Sequence, residues 1–115
     1  MAKIKPSARE KKRYVVYEIK SKDGFLFKDV KKSILDACYR YIGEFGVNKS
    51  RLFIIENTYL KNEKRGIFRC TNRQLKDVKE CITMIKEIEG KKASIEIIGV
   101  SGIIKKAKHK FLLRK

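Results

Sequence analysis

The side chains in this sequence that could do covalent chemistry are few, and their spacing gives them little to do. His109 is the single histidine; it stands in a lysine-rich stretch and reads as a solvated helix residue rather than a general base. Cys38, Cys70 and Cys81 lack Cys-x-x-Cys spacing and sit among apolar neighbours, so they read as small buried thiols of a reducing compartment. A structural zinc site would need closer spacing and more histidine. The acids beyond the N-terminal stretch are scattered, with no close pair on one predicted face. Gly99-Val100-Ser101-Gly102 lacks the longer glycine pattern and the lysine of a phosphate loop. Arg69 and Asn72 could serve a phosphatase, but that pairing is too common to count. No catalytic or metal-ligating residue and no bound cofactor is expected in this chain.

What remains is charge. Thirty Lys and Arg face 13 Asp and Glu, a formal net charge of +17. Such a charge opposes compaction unless a polyanion neutralises it. Its distribution is uneven. Lys3, Lys5, Arg9, Lys11, Lys12 and Arg13 are opposed only by Glu10, and Lys105, Lys106, Lys108, Lys110, Arg114 and Lys115 by no acid at all. These two ends, with 12 bases and one acid, hold +11; the middle, with 18 bases and 12 acids, holds +6. Nucleic acid is the default partner and an acidic membrane the competitor. The terminal segment is short, has no tryptophan and offers little apolar area, and no stretch is long enough to span a bilayer. The N-terminus shows no apolar run of the secretory kind. Binding to RNA phosphates is therefore expected through the basic residues of both ends, Lys3 to Arg13 and Lys105 to Arg114, with Arg65, Arg69 and Arg73 as further contacts.

The elements that must carry these charges follow from periodicity. A length of 115 residues with 43% hydrophobic content suits one domain with one core. Residues 1–13 read as a basic arm. Tyr14 to Lys20 alternates as a strand, with Val15, Tyr17 and Ile19 on one face and Tyr14, Val16 and Glu18 on the other. Val30, Ile34, Cys38, Ile42 and Phe45 share a helical face between about Lys28 and Phe45, with Gly43 and Gly46 weakening and then ending the helix. Leu52–Ile55 is of strand length, Tyr59–Lys64 reads as a loop, and Gly66–Cys70 as the next strand. Thr71 and Gln74 have the spacing of a capping box before a helix bearing Leu75, Val78, Ile82, Ile85 and Ile88 and stopping at Gly90. Lys92 to Ile98 alternates again, Gly99 to Gly102 breaks that strand, and a basic helix over residues 103–115 carries Ile104, Ala107 and Phe111 on one face. Strand, helix, strand, strand, helix, strand predicts an α+β, ferredoxin-like (RRM-like) antiparallel sheet over residues 14–102, with two helices on one face and the basic helix appended.

That architecture hosts many functions, so the sheet itself must be tested. Arg65-Gly66 matches the opening of the sheet motif used by RNA-recognition modules, but Ile67 and Arg69 then occupy the outward positions where stacking aromatics belong. Tyr14, Val16, Ile67 and Ile98 face outward instead. They are either scattered surface hydrophobes or a contiguous patch that another subunit or the terminal helix covers. With Phe111 they form the candidate protein interface.

Three segments, taken together, resemble the ribonuclease P protein component 2 family of archaea, counterpart of a Pop-type subunit in eukaryotes. Ala8-Arg9-Glu10-Lys11-Lys12-Arg13-Tyr14 resembles its junction of arm and first strand. Gly66-Ile67-Phe68-Arg69-Cys70 is similar to its third strand. Ile98-Gly99-Val100-Ser101-Gly102-Ile103-Ile104-Lys105, followed by Lys110-Phe111-Leu112, resembles its most distinctive segment. Ser7 and Ala8, where members often carry Thr and Leu, and the lysine-rich loop of Lys61 to Arg65 depart from the pattern. The resemblance implies a subunit of the RNA-based endonuclease that removes 5′ leaders from precursor tRNA, with the RNA as catalyst and magnesium bound on the RNA. It implies as partners the ribonuclease P RNA, precursor tRNA and ribonuclease P protein component 3, with self-association giving a heterotetramer, and no membrane. It implies action in the cytoplasm of an archaeon, or in the nucleus or nucleolus of a eukaryote. The alternative from the residues alone is an RNA-binding protein of the ribosome or another ribonucleoprotein.

Overall fold

A computed structural model of the chain describes residues 11–113. Strand β1 (Lys12–Lys20) leads to helix α1 (Phe27–Ser50), then to β2 (Phe53–Leu60) and β3 (Arg65–Thr71). A single 3-10 turn precedes α2 (Leu75–Thr83); a small hairpin of β4 (Glu87–Ile88) and β5 (Lys91–Lys92) follows. The chain then forms β6 (Ser94–Ser101) and α3 (Ile104–Ala107), which continues as a π-helical turn over Lys108–Leu112. The four long strands form one antiparallel sheet in the order β2-β3-β1-β6, the ferredoxin-like order expected from the sequence.

Alternation sorts the sheet into two faces. Val15, Tyr17, Phe68 and Cys70 bury against Ile34 and Cys38 of α1 and Val78 and Ile82 of α2. Val16 and Ile67, from the opposite face, join a second buried cluster with Ala107 and Leu112 of the terminal helix, and Tyr14, Ile98, Ile104 and Phe111 pack around it. The outward apolar residues are thus covered by the chain's own C-terminus. Val16 and Ile67 are fully buried and present no surface to a second protein while that helix is docked. Each such side chain, taken wholly out of water, contributes roughly 1.5–3 kcal/mol.

Several boundaries differ from the periodic expectation. Gly43 takes φ 72° and kinks α1 without ending it, so the helix passes Gly46 and runs to Ser50. The kink changes the helical phase: Val47 turns inward and Phe45, expected in the core, is 79% exposed. Strand β2 extends to Leu60 because Thr58 bridges a bulge. Its hydroxyl accepts the Ile67 N–H at 3.0 Å and donates to the Ile55 carbonyl at 2.7 Å. Only residues 61–64 then remain as a turn between β2 and β3.

The capping box does not form, because Thr71 is held in β3 opposite Lys12 and a 3-10 turn separates it from α2. Its buried hydroxyl has no partner among the described residues. Helix α2 ends at Thr83, and Ile88 reaches the core from the hairpin, whose two-residue turn at Glu89 and Gly90 takes positive φ at both positions. Lys12 and Arg13, assigned to the arm by composition, are the first residues of β1.

Gly99 and its neighbours do not break β6. Val16 pairs with Gly99 but Tyr17 pairs with Ile97, so Ile98 is an extra residue in a β-bulge. The bulge shifts the alternation and puts Gly99 on the outer face, where the Phe111 ring lies directly against it; a Cβ there would collide with the ring. The π turn, closed by the Leu113 N–H on the Lys108 carbonyl at 2.9 Å, brings Leu112 down to the sheet beside Phe111.

Gly99→Ala should therefore destabilise the protein by about 1–3 kcal/mol in urea unfolding and speed amide exchange over Ala107–Leu112. Equal stability and equal protection would show that this contact does not hold the helix. The buried thiols give a second test. Burial pushes Cys38 up to about 12 and Cys70 to about 11. Unfolded thiols lose their protons near ~8.5, so the thiols' contribution to stability should be level below that pH. It should fall as pH rises towards 11, by at most ~1.4 kcal/mol per pH unit per thiol. Cys38→Ala should make the alkaline fall in urea midpoint shallower.

Candidate nucleic-acid interface

Strand register arranges the outer sheet face in three rows running across all four strands. Leu60, Arg65, Glu18 and Glu96 form the row at one end; Ile55, Ile67, Val16 and Gly99 form the middle; Phe53, Arg69, Tyr14 and Ser101 form the other end. The middle row is the one the terminal helix covers.

The first of these rows is neutralised internally. The Glu18 carboxylate accepts from Lys20 Nζ at 2.6 Å and Arg65 Nε at 2.8 Å, and the hydrogen bond from Lys20, then that from Arg65, holds its pKa below the usual carboxylate range. Arg65 Nη1 also donates to the Leu112 carbonyl at 3.4 Å. Arg65, expected among the phosphate contacts, is engaged within the fold as a fastening between β3, β1 and the end of the terminal helix.

The opposite end is different. Residues 11–17, 64–76 and 97–113 contain no Asp or Glu, and the sheet brings parts of all three together there. The Asn72 N–H donates to the Lys11 carbonyl at 2.6 Å, Lys12 pairs with Thr71, and Tyr14 pairs with Ser101. The Arg13 guanidinium lies against Gly102, where an added Cβ would stand 3.1 Å from Nη1. The Ser101 hydroxyl accepts the Ile103 N–H and donates to the Ile103 carbonyl, both at 3.1 Å, fixing the turn into α3. Lys105 and Lys106 follow on its exposed side. Lys11, Lys12, Arg13, Arg69, Arg73, Lys105 and Lys106 therefore lie on acid-free stretches that the sheet gathers towards one end of the molecule. Lys108 and Lys110 lie further along the terminal helix. Lys3, Lys5, Arg9 and Arg114 fall outside the described residues.

Arg69 stands in the outward row at this end of the sheet, paired with Tyr14. Its guanidinium carbon lies 5.2 Å over the Phe53 ring, a cation–π contact, and its Nε is buried with no hydrogen-bond partner among the described residues. Phe53 is 50% exposed. The sequence hides it in an apolar run; its outward direction follows only from pairing with Arg69.

The three cysteines are buried, and His109 is exposed on the terminal helix. Among the described residues no group of three or more His, Cys, Asp or Glu could hold a metal ion. Nor is any helix among them long and apolar enough to cross a membrane.

Comparison with known proteins adds the decisive observation: a sequence profile of the Rpp14/Pop5 family matches residues 13–112, which takes in every long strand and all three helices. The chain belongs to the Rpp14/Pop5 family. It is 37% identical to the ribonuclease P protein component 2 of Pyrococcus furiosus, over 95% of this chain and 89% of that protein. With the protein of the same name from Methanosarcina mazei it shares 29% identity over 97% of this chain and 93% of that protein. A chain in a cryo-EM structure of yeast ribonuclease MRP has the same fold, with TM-score 0.65 and 14% identity, over 82% of this chain and 76% of that one. The acid-free end of the sheet therefore sits on an Rpp14/Pop5 scaffold, with Tyr14, Arg69 and Ser101 all inside the matched span.

If the acid-free end meets phosphates, neutralising Lys11, Lys12 and Arg13 to Gln should flatten the log–log salt dependence of RNA binding by about 0.7–0.9 per lost contact. Arg65→Gln should instead loosen the terminal helix in amide exchange and leave the slope unchanged. The reverse pattern would move the interface to the other end of the sheet.

Proposed function

We propose that this chain is a protein subunit of ribonuclease P that binds and braces the RNA responsible for removing 5′ leaders from precursor tRNA. The observation that carries the reading is similarity over 95% of the chain to proteins named ribonuclease P protein component 2. The acid-free end of the sheet supports it, because clustered Lys and Arg displace counterions from folded RNA and relieve phosphate repulsion. In this reading the RNA is the catalyst and carries the magnesium ions, and the protein supplies positioning and charge. Its protein partner is ribonuclease P protein component 3, and a self-associated pair of these chains completes a heterotetramer. The covered middle row turns any such contact away from Val16 and Ile67 and onto surfaces the terminal helix leaves open. The archaeal relatives favour a cytoplasmic place of action.

Reconstitution tests the proposal. With the cognate ribonuclease P RNA and component 3, omission of this chain should depress precursor-tRNA cleavage at moderate magnesium, and adding it back should restore the rate. No effect of omission, or ribosomal RNA as the RNA that co-purifies with the chain, would overturn it.

A further inference from the structure

Beside Phe53 the sheet edge faces α1 along much of its length, and the two enclose a cleft of about 470 Å³. Lys31, Tyr39 and Asn48 of α1 line it together with Arg51, Phe53 and Arg69, over a floor of aliphatic side chains. Three of these residues are cations, and no acid lines the cleft. Other clefts on the helical side include carboxylates: one sets Asp36, Glu87 and Glu89 against Lys32, Arg40 and Lys86, and another holds Asp77 and Glu80. Tyr39 is 47% exposed and Phe53 50%, so two aromatic side chains stand open where one ring already carries a guanidinium.

Arg51 adds an independent observation. It caps α1 at φ 51°, ψ 40°, the left-handed region where helices ordinarily end in glycine or asparagine. Its N–H closes the helix on the Asn48 carbonyl at 3.2 Å, a bond that any residue would make. An arginine thus stands where the backbone favours glycine, with its side chain on the cleft.

We propose that this cleft is a subsite for one unpaired nucleotide of RNA. The base stacks on Phe53 and Tyr39, and Arg51, Lys31 and Arg69 receive the flanking phosphate. A volume within the range of small-ligand sites, aromatic faces that tolerate any base and an acid-free cationic rim are the features such a subsite requires. Arg69 joins it to the acid-free end of the sheet, so a strand can leave the cleft along that surface. The inference rests on the RNA-binding reading and deepens it: readout of one splayed nucleotide is added to contacts with phosphates.

The test uses the full chain and a short single-stranded oligoadenylate. Phe53→Leu should weaken binding about fivefold to a hundredfold while leaving the salt slope unchanged, since it removes a stacking face and no charge. Arg51→Gly should keep or raise the thermal midpoint, because glycine suits that φ, yet lower the salt slope by about 0.7. In NMR titrations adenosine 5′-monophosphate should shift the amides of Arg51–Ile54 and Tyr39 more than inorganic phosphate does. If both variants bind like the parent chain, or if the two small ligands act equally, the nucleotide subsite is overturned and the wider RNA-binding reading stands. If the parent chain binds no RNA, both fall.

Discussion

The packing of Phe111 on Gly99 is the constraint from which the useful surface of this protein follows. An antiparallel sheet with helices on one side leaves its other side to water, and here the middle of that side is apolar: Ile55, Ile67 and Val16 in one row. Such a row is stable only when covered. The cover is the terminal helix, and it can approach because the bulge at Ile98 delivers a glycine, with no side chain, to the spot where the ring must lie. The π turn and the Arg65–Leu112 hydrogen bond then hold the far end of the helix. One extra residue in β6 thus turns a solvent face into a second core.

Once that face is covered, its two ends acquire different roles. At the Glu18 end, acids and bases pair with each other, and little net charge is left to attract a polyanion. At the Tyr14 end the three separated stretches of sequence that converge carry several cations and no acid of their own. Repulsion among those cations opposes folding, a cost that bound phosphate relieves. Covering the middle also restricts how RNA can be read. Of the two positions that carry stacking aromatics in RNA-recognition modules, Ile67 lies under the helix and Arg69 lies across the exposed ring of Phe53 at the sheet's edge.

Membership of the Rpp14/Pop5 family and likeness of fold carry different weight. Ferredoxin-like sheets serve many functions, and 14% identity to a chain of yeast ribonuclease MRP speaks to fold alone. Identity of 37% across 95% of the chain ties this protein to its named archaeal relatives. The structure contributes something neither comparison holds: a division of the basic residues into those engaged in the fold, such as Arg65, and those presented together, such as Arg13, Arg69 and Arg73.

The sequence by itself determined the order of elements, the faces of β1 and the inward faces of α2 and β6, because alternation and helical periodicity are local and the core enforces them. It also determined the excess of charge at the termini and the motifs of the family. It did not determine where helices bend or strands bulge. Phe45 follows Ile42 at helical spacing, yet a single φ at Gly43 turns it to solvent, and Ile88 keeps the spacing of α2 while reaching the core from a hairpin. Gly99 looks like a strand breaker until Phe111 is seen to need its missing side chain. Which bases act together was likewise beyond local pattern. Lys11, Arg69 and Lys105 lie far apart in the chain, and only the register of β3 on β1 and of β1 on β6 brings their segments to the same end of the sheet.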